Sequence, residues 1–354
     1  MTLFSFKSRF EDFYFSFWSD LVDSCVDEID VAPDIKSEIR THVEELLEYN
    51  ISGGKLLRGL TVVDVANSLS KLQDKNFSDE VFHSAAILGW VTEILQAAFL
   101  VADDVMDNSK TRRGKPSWQA RQGVGLAAVN DAFLLESIAY KAIDHFLPSL
   151  STLSSVYQTL RTVSRLTEWG QFLDTLGTQV PIDLVSKELF TAISVHKTSF
   201  YTFFLPCCFG VLSTGTEISP ETFNKIREVC KLIGIFFQFQ DDYLDVFGDF
   251  EVLGKPGTDL IERKAAWPLV KTLEKVPTAT KHEIDRLLNT HDVESVKKIM
   301  KEVDIPQEFS IMQDELLSQI NSLCLSMKSS GDDVQISVAD VVSQLAQFLK
   351  NRSK

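Results

Sequence analysis

Residues 95–107 read LQAAFLVADDVMD, and residues 237–245 read FQFQDDYLD. In both stretches an apolar run with helical spacing ends in the same acidic pattern, in which two adjacent aspartates are followed by a third three positions later. Apolar runs of this kind predict buried helices, so each acidic cluster is expected at the C-terminal end of a buried helix. The two stretches together indicate a helical protein with a pair of matched carboxylate clusters.

The same helical spacing of apolar residues recurs along the chain of 354 residues. It extends over several turns at residues 85–107, 132–145, 153–176, 223–247 and 336–350. Breaks fall at residues 52–54, 108–117, 248–259 and 329–331, and alternating strand-like runs bounded by turn signals are absent. We therefore predict an all-α fold, a single large helical bundle. Because no linker or repeat interrupts the chain, one domain is expected over residues 1–354.

The composition limits the classes of function. Hydrophobic residues at 44% and charged residues at 24% are typical of a soluble globular protein. A net charge of -15 argues against binding to nucleic acid through a basic surface. The five cysteines are scattered without a C-x-x-C pair, which favours a reducing compartment. Charged residues interrupt the N-terminal stretch, and the longest uncharged stretch, 198–216, contains Pro206 and Gly210. We expect a cytoplasmic protein with no membrane span.

The spacing within each acidic cluster suits a metal ion. The first and last carboxylates are four residues apart, which places them about 40° apart around a helix axis, on one face. Adjacent carboxylates repel one another, and a helix C-terminus disfavours negative charge, so both effects favour a bound cation. A ligand set made only of oxygen suits Mg²⁺. One such cluster is usually solvated surface, but two matched clusters, each after an apolar helix, favour a metal site.

Basic residues near these clusters supply a complementary charge. Arg112 and Arg113 follow the first cluster, Lys55 and Arg58 lie in the segment SGGKLLRG, and three lysines, Lys197, Lys255 and Lys264, occur later. Any one of them alone is ordinary surface charge. Carboxylate-bound Mg²⁺ together with arginine and lysine side chains is the arrangement that binds diphosphates, so the sequence indicates a diphosphate substrate.

The chain resembles the farnesyl diphosphate synthase family of trans-isoprenyl diphosphate synthases, particularly its fungal branch. The resemblance rests on six motifs that match in order and spacing, namely residues 53–55, 95–107, 111–114, 123–126, 130–136 and 237–249. It implies an all-α bundle of the isoprenoid synthase type around a central cavity. It also implies a dimer, with three Mg²⁺ ions per active site bound between the two aspartate motifs.

The resemblance also implies roles for individual residues. The metal ligands would be Asp103, Asp107 and Asp241, supported by Asp104, Asp242 and Asp245. The allylic diphosphate would be bound by Arg112, Lys197 and Lys255, and isopentenyl diphosphate by Lys55, Arg58, Gln96 and Arg113. Thr198 would also bind substrate. Phe237 and Gln238 would lie near the reacting carbons. The implied reaction is ionisation of the allylic C–O bond, attack by the alkene on the carbocation and loss of a proton, within dry apolar walls.

Three departures from the family pattern bear on the function. Leu57 stands where the family has Asn, close to the expected isopentenyl diphosphate site, and residues 262–266 have drifted. Enzymes of the family that stop at fifteen carbons usually place two aromatic residues where this chain has Ala98 and Phe99. Replacing a ring by a methyl group leaves room for about one more isoprene unit, so we expect geranylgeranyl diphosphate rather than farnesyl diphosphate. The alternative is that another phenylalanine fills the space beside Ala98.

Three functions remain open at this point. The leading one is a Mg²⁺-dependent prenyltransferase that condenses isopentenyl diphosphate with allylic diphosphates. The second is a terpene synthase acting on a single prenyl diphosphate, which Leu57 supports and the intact residues Lys55, Arg58 and Arg113 oppose. The third is a divergent partner subunit that pairs with a paralogous synthase, so both a homodimer and a heterodimer are compatible with the sequence.

Overall fold

Helices account for almost all regular structure in the computed structural model, which describes residues 3–248 and 257–351. Their bounds are α1 Lys7–Val26, α2 Pro33–Ile51, α3 Leu57–Leu72, α4 Asp79–Met106, α5 Ala128–Phe146, α6 Leu153–Gly177, α7 Lys187–Ile193, α8 Leu205–Leu212, α9 Pro220–Phe247, α10 Trp267–Lys275, α11 Thr278–Asn289, α12 Val293–Glu302, α13 Ile305–Lys328 and α14 Asp333–Lys350. A π-helix over Ser194–Phe204 joins α7 to α8. The five segments with strong helical spacing fall on α4, α5, α6, α9 and α14, and the all-α fold is confirmed.

A small β-hairpin lies in the break after α4, where no strand is predicted from the sequence. Thr111–Arg112 pairs antiparallel with Lys115–Pro116. The two residues between the strands, Arg113 and Gly114, have φ of 53° and 74°. Positive φ at both central residues is the conformation that matches the twist of a two-residue hairpin. The sequence lacks the usual Asn-Gly or Asp-Gly signal, because an arginine takes the first of these positions.

The described residues form two compact units, each assembled from separate stretches of sequence. The first comprises the described residues within 1–161, 205–226 and 330–341, and the second comprises those within 162–204, 227–329 and 342–354. In the first unit α4 packs against α3 and α5, and α3 also packs against α8. In the second unit α10 packs against α7, α12 and α13. A single domain over residues 1–354 stays a prediction.

Helix α4 is the central apolar helix of the first unit. It begins after Ser78, whose side chain accepts a hydrogen bond from Val81 N at 3.2 Å, and it carries Asp79 and Glu80 in its first turn, where negative charge is favourable. Among the described residues it is the one helix long and apolar enough to cross a membrane, and 83% of that apolar window is buried inside the protein. That burial is typical of a core helix.

Candidate active site

The first aspartate motif lies at the C-terminal end of α4, and its middle residue points inward. Asp104 is 3% exposed, whereas Asp103 and Asp107 are half-buried. Arg112, on the hairpin, donates through Nε to Asp104 Oδ1 at 3.0 Å and through Nη2 to Asp103 Oδ2 at 3.2 Å. Asp104 therefore attaches the hairpin to the end of α4 and fixes Arg112 beside the motif.

Arg112 remains a cation despite its burial. Burial by itself lowers the pKa of a guanidinium, but the hydrogen bonds and charges of Asp104 and Asp103 outweigh that effect and raise the pKa of Arg112. An arginine held rigidly beside carboxylates presents its remaining N–H groups in a fixed direction. Such a group is suited to binding a diphosphate.

The second aspartate motif, at the C-terminal end of α9, repeats this arrangement. Asp242 is 5% exposed, and it accepts hydrogen bonds from Gln238 Nε2 at 2.7 Å and from the backbone N–H of Trp267 at 2.8 Å. Burial raises the pKa of Asp242 to about 7 against the effect of these two donors, and the charges of Asp241 and Asp174 add to the rise. The middle aspartate of each motif thus anchors the segment that follows its helix.

The other two aspartates of the second motif differ in exposure. Asp241 is exposed. Asp245 is half-buried and accepts backbone N–H groups from Thr258 at 3.3 Å and from Asp259 at 3.0 Å. Burial, followed by the charges of Asp245 and Asp242, raises the pKa of Asp259, while Lys264 opposes the rise. Carboxyl groups are therefore crowded at the end of α9, and burial together with their mutual repulsion opposes their ionisation.

The outer aspartates have the chemistry that Mg²⁺ requires. No group of three or more His, Cys, Asp or Glu side chains that could hold a metal ion by itself occurs in residues 3–248 and 257–351. Mg²⁺ is usually bound through one or two carboxylates, with water and substrate phosphates completing its shell. Asp103 and Asp107 at the end of α4 are hard oxygen donors of this kind in the first unit, and Asp241 at the end of α9 is another in the second unit. Each motif by itself therefore has the donor chemistry for a Mg²⁺ ion that binds together with a diphosphate.

A second group of cations in the first unit surrounds the turn between α2 and α3. Arg113 Nη1 donates to the backbone carbonyls of Asn50 at 3.1 Å and Ile51 at 3.3 Å, at the C-terminus of α2. A Cβ on Gly54 would lie 3.3 Å from the Arg113 guanidinium, so the glycine loop and Arg113 are immediate neighbours. Lys55 is exposed in this loop, and Arg58, in the first turn of α3, is only 8% exposed. Three cations predicted to bind isopentenyl diphosphate therefore lie at or beside this turn.

In the second unit, the predicted site residues Lys197 and Thr198 lie on the π-helix. Lys197 Nζ forms an ion pair with Asp174 Oδ2 at 2.6 Å, and Lys264 Nζ lies 3.8 Å from the same oxygen. Thr198 Oγ1 donates to Gln238 Oε1 at 2.5 Å. The structure therefore brings Lys197, Thr198 and Gln238 into defined contacts along one short segment.

Two glycines allow the π-helix to come this close to its neighbours. A Cβ on Gly170 of α6 would lie 2.0 Å from Lys197 N, and a Cβ on Gly234 of α9 would lie 1.9 Å from Ser199 Oγ. Each glycine precedes by four residues the side chain that its helix presents to the π-helix, Asp174 and Gln238 respectively. The close backbone contact at each glycine therefore sets the position of the hydrogen bond one turn further along.

The remaining predicted residues are placed as follows. Ala98 is 4% exposed, and Gln96 and Phe99 on the same helix are half-buried. Phe237 makes an edge-to-face contact with Phe203 of the π-helix, with ring centroids 5.9 Å apart. Lys255 lies outside the described residues.

Sequence reasoning missed Asp174 and Asp259. Asp174 is 7% exposed on α6, where it continues an apolar stripe with buried Val163 and Thr167. A carboxylate in line with an apolar stripe is the signal that could have identified it, since a buried carboxylate requires a cationic or hydrogen-bonding partner. Asp259 gave no such signal, because it lies in a loop whose burial depends on contacts with Asp245.

Comparison with known proteins identifies the family. A family model described as Polyprenyl synthetase matches residues 40–303, which contain both aspartate motifs and the glycine loop. The chain belongs to the polyprenyl synthetase family. Farnesyl pyrophosphate synthase 2 of Arabidopsis thaliana is 36% identical to this polyprenyl synthetase over 323 residues, covering 90% of this chain and 92% of the relative. The farnesyl pyrophosphate synthase of Schizosaccharomyces pombe is 35% identical over 295 residues, covering 82% and 84%.

Solved structures agree with this assignment. A T. brucei farnesyl diphosphate synthase complexed with bisphosphonate matches this polyprenyl synthetase with a TM-score of 0.84 at 27% identity, covering 96% of this chain and 99% of the other. The expected membership of the trans-isoprenyl diphosphate synthases is confirmed. The chain is therefore an enzyme, a prenyltransferase that makes a trans-isoprenyl diphosphate.

Proposed function

We propose that this prenyltransferase is a Mg²⁺-dependent enzyme that condenses isopentenyl diphosphate with allylic diphosphates to form geranylgeranyl diphosphate. The observation that carries the proposal is the presence of two cationic groups in the first unit. Arg112 is held on the aspartates of α4, and Arg58 and Arg113 lie separately at the turn between α2 and α3. An enzyme with a single diphosphate substrate has no physical need for the second group.

The proposed roles combine these positions with the family resemblance, which alone supplies the role of Lys255. Asp103, Asp107 and Asp241 would hold Mg²⁺, whose chemistry when bound is to offset the negative charge of the allylic diphosphate. Arg112, Lys197 and Lys255 donate hydrogen bonds to that diphosphate and stabilise the charge that develops on it as the C–O bond breaks. Lys55, Arg58, Gln96 and Arg113 hold isopentenyl diphosphate so that its alkene faces the cation.

The environment of the carbocation must exclude water. Phe203 is 1% exposed and packs edge-to-face on Phe237, so an apolar surface lies beside the Thr198–Gln238 pair. Aromatic faces are negative at their centres and suit a nearby cation, and dry walls prevent its capture by water.

We propose a cytoplasmic enzyme that acts as a homodimer or as a heterodimer with a paralogue.

A substitution at Ala98 tests the proposed length of the product. Ala98→Phe places a ring at a buried position on α4, and the main product is expected to become shorter by about one isoprene unit because the ring occupies the space taken by the growing tail. Chromatography of the dephosphorylated products measures this shift. Ala98→Ser, which keeps the side chain small, serves as control and is expected to leave the product unchanged. A folded Ala98→Phe enzyme with the wild-type product would show that another residue limits chain length.

The function itself is tested by incubating the purified chain with Mg²⁺, labelled isopentenyl diphosphate and, separately, five-, ten- and fifteen-carbon allylic diphosphates. Labelled twenty-carbon product is expected. Labelled product that stops at fifteen carbons would overturn the assignment of chain length but not the elongation reaction. Unlabelled hydrocarbon formed from the allylic substrate alone would favour the terpene synthase, and activity that appears only after mixing with a paralogue would favour the partner subunit.

A further inference from the structure

Glu93 is a buried carboxylate with no role in the mechanism described above. It is the one Asp, Glu, Lys or Arg residue within residues 81–102, and it is 4% exposed in the middle of α4. Its Oε1 accepts the backbone N–H of Gly59 at 2.9 Å, and it also accepts the backbone N–H of Arg58. A buried carboxylate is costly without partners, so its presence in this apolar helix requires an explanation.

The partners of Glu93 are the first N–H groups of α3, which lack an acceptor within their own helix. The residue before α3, Leu56, has a left-handed backbone with φ of 53° and supplies no side-chain cap. Glu93 therefore caps α3 from a neighbouring helix. The contact depends on close packing of two glycines, because a Cβ on Gly59 would lie 3.1 Å from Gly89 O and a Cβ on Gly89 would lie 2.9 Å from Gly59 O. Gly89 precedes Glu93 by one helical turn.

The cationic side chains that act on Glu93, Arg58 and Arg113, are two of those predicted to bind isopentenyl diphosphate. Burial raises the pKa of Glu93, and the charge of Arg58, the N–H of Gly59 and the charge of Arg113 oppose this rise. Both arginines thus lie close enough to act electrostatically on one buried carboxylate. Arg58 interacts with Glu93 in two ways: its backbone N–H donates a hydrogen bond to the carboxylate, and its guanidinium is attracted to the negative charge.

We propose that Glu93 is the positioning residue for the isopentenyl diphosphate site, an inference that rests on the proposed function. Glu93 accepts the backbone N–H groups of Arg58 and Gly59 at the start of α3. Without Glu93, N–H groups at a helix start would attract an anion. The diphosphate is therefore bound by the side chains of Lys55, Arg58 and Arg113, and Glu93 fixes the position of Arg58 and acts on the charge of Arg113. Glu93 does not touch the substrate and acts through the arginines.

Glu93→Gln tests this inference by removing the charge while keeping the shape and one acceptor oxygen. We expect the KM for isopentenyl diphosphate to rise about 10- to 100-fold, in line with the value of hydrogen bonds to charged groups. The KM for the allylic diphosphate is expected to stay within about twofold, and kcat at saturating isopentenyl diphosphate to stay close to wild type. A merely structural role would not produce this split between the two substrates.

Thr92→Val provides a matched control, because Thr92 is the neighbouring residue on α4, is fully buried and donates to Leu88 O at 2.8 Å within its own helix. Both KM values are expected to be unchanged in this variant. If Glu93→Gln does not fold, Glu93→Asp, which withdraws the charge by one methylene, is measured for the same split.

An active wild type whose Glu93 variants bind isopentenyl diphosphate normally would overturn the inference alone. A wild type that incorporates no isopentenyl diphosphate would overturn the proposed function and this inference with it.

Discussion

Asp103→Ala is expected to lower kcat by at least about a thousand-fold, because it removes a proposed Mg²⁺ ligand from the end of α4. Asp103 is half-buried at a helix terminus, and its Oδ2 accepts a hydrogen bond from Arg112 Nη2 at 3.2 Å. Loss of this carboxylate weakens the binding of the cation that neutralises the allylic diphosphate. Steady-state kinetics at several Mg²⁺ concentrations measures the effect.

Two further measurements separate the metal from the arginine. Asp103→Asn retains an oxygen that can accept from Arg112 Nη2 but lacks the charge that Mg²⁺ favours, so it is expected to be nearly as inactive as the alanine variant. Binding of Mn²⁺, followed by electron paramagnetic resonance in the presence of diphosphate, is expected to weaken in both variants. Asp20→Ala, on the exposed side of α1, is the control. Normal turnover of Asp103→Ala would exclude Asp103 as a ligand.

Gly170→Ala is expected to lower kcat by about 100-fold or more, through displacement of the π-helix. The added methyl group would lie 2.0 Å from Lys197 N and 2.4 Å from His196 C, and both are backbone atoms that cannot rotate away. The π-helix must therefore shift, and the shift separates Lys197 from Asp174. Errors of about 1 Å in the placement of a catalytic group are enough to cost this much rate.

Gly177→Ala is a matched control for this variant, since it makes the same change on the same helix. A Cβ on Gly177 would meet side-chain atoms at 3.5 Å or more, which is ordinary contact. Its activity is expected to be close to wild type. Circular dichroism and thermal unfolding establish that both variants are folded, and Gly170→Ala with wild-type kinetics would show that the close contact has no part in catalysis.

The parts of the structure that sequence could predict are those encoded locally. Apolar spacing along α4 and α9 predicts two buried helices, and the paired aspartate patterns place carboxylates at their ends. Arg112 bonds to Asp104 only eight residues away, which agrees with the prediction that it lies near the first cluster. The family resemblance added expected roles for residues such as Gln96, which local patterns do not reveal.

The remainder depends on contacts between distant segments. Asp242 and its neighbour Asp241 are the same residue type, yet Asp242 is buried and Asp241 is exposed. The buried carboxylate accepts a backbone N–H group 25 residues away. Asp174 pairs with a lysine 23 residues away, and Glu93 caps a helix that begins 36 residues earlier, at Leu57. Neither spacing nor composition records which segment will cover a given side chain. The π-helix likewise depends on glycines in two other helices.

Two aspartates of the second motif also explain how residues 262–266 can differ from the family pattern without loss of the fold. Asp242 holds this segment through the backbone N–H of Trp267, and Asp245 holds the preceding loop through the N–H groups of Thr258 and Asp259. Every residue except proline provides a backbone N–H, so these anchors do not depend on which side chains follow the motif. The second motif therefore leaves its following loop open to evolutionary change, and a new substrate preference could arise there while the aspartates stay fixed.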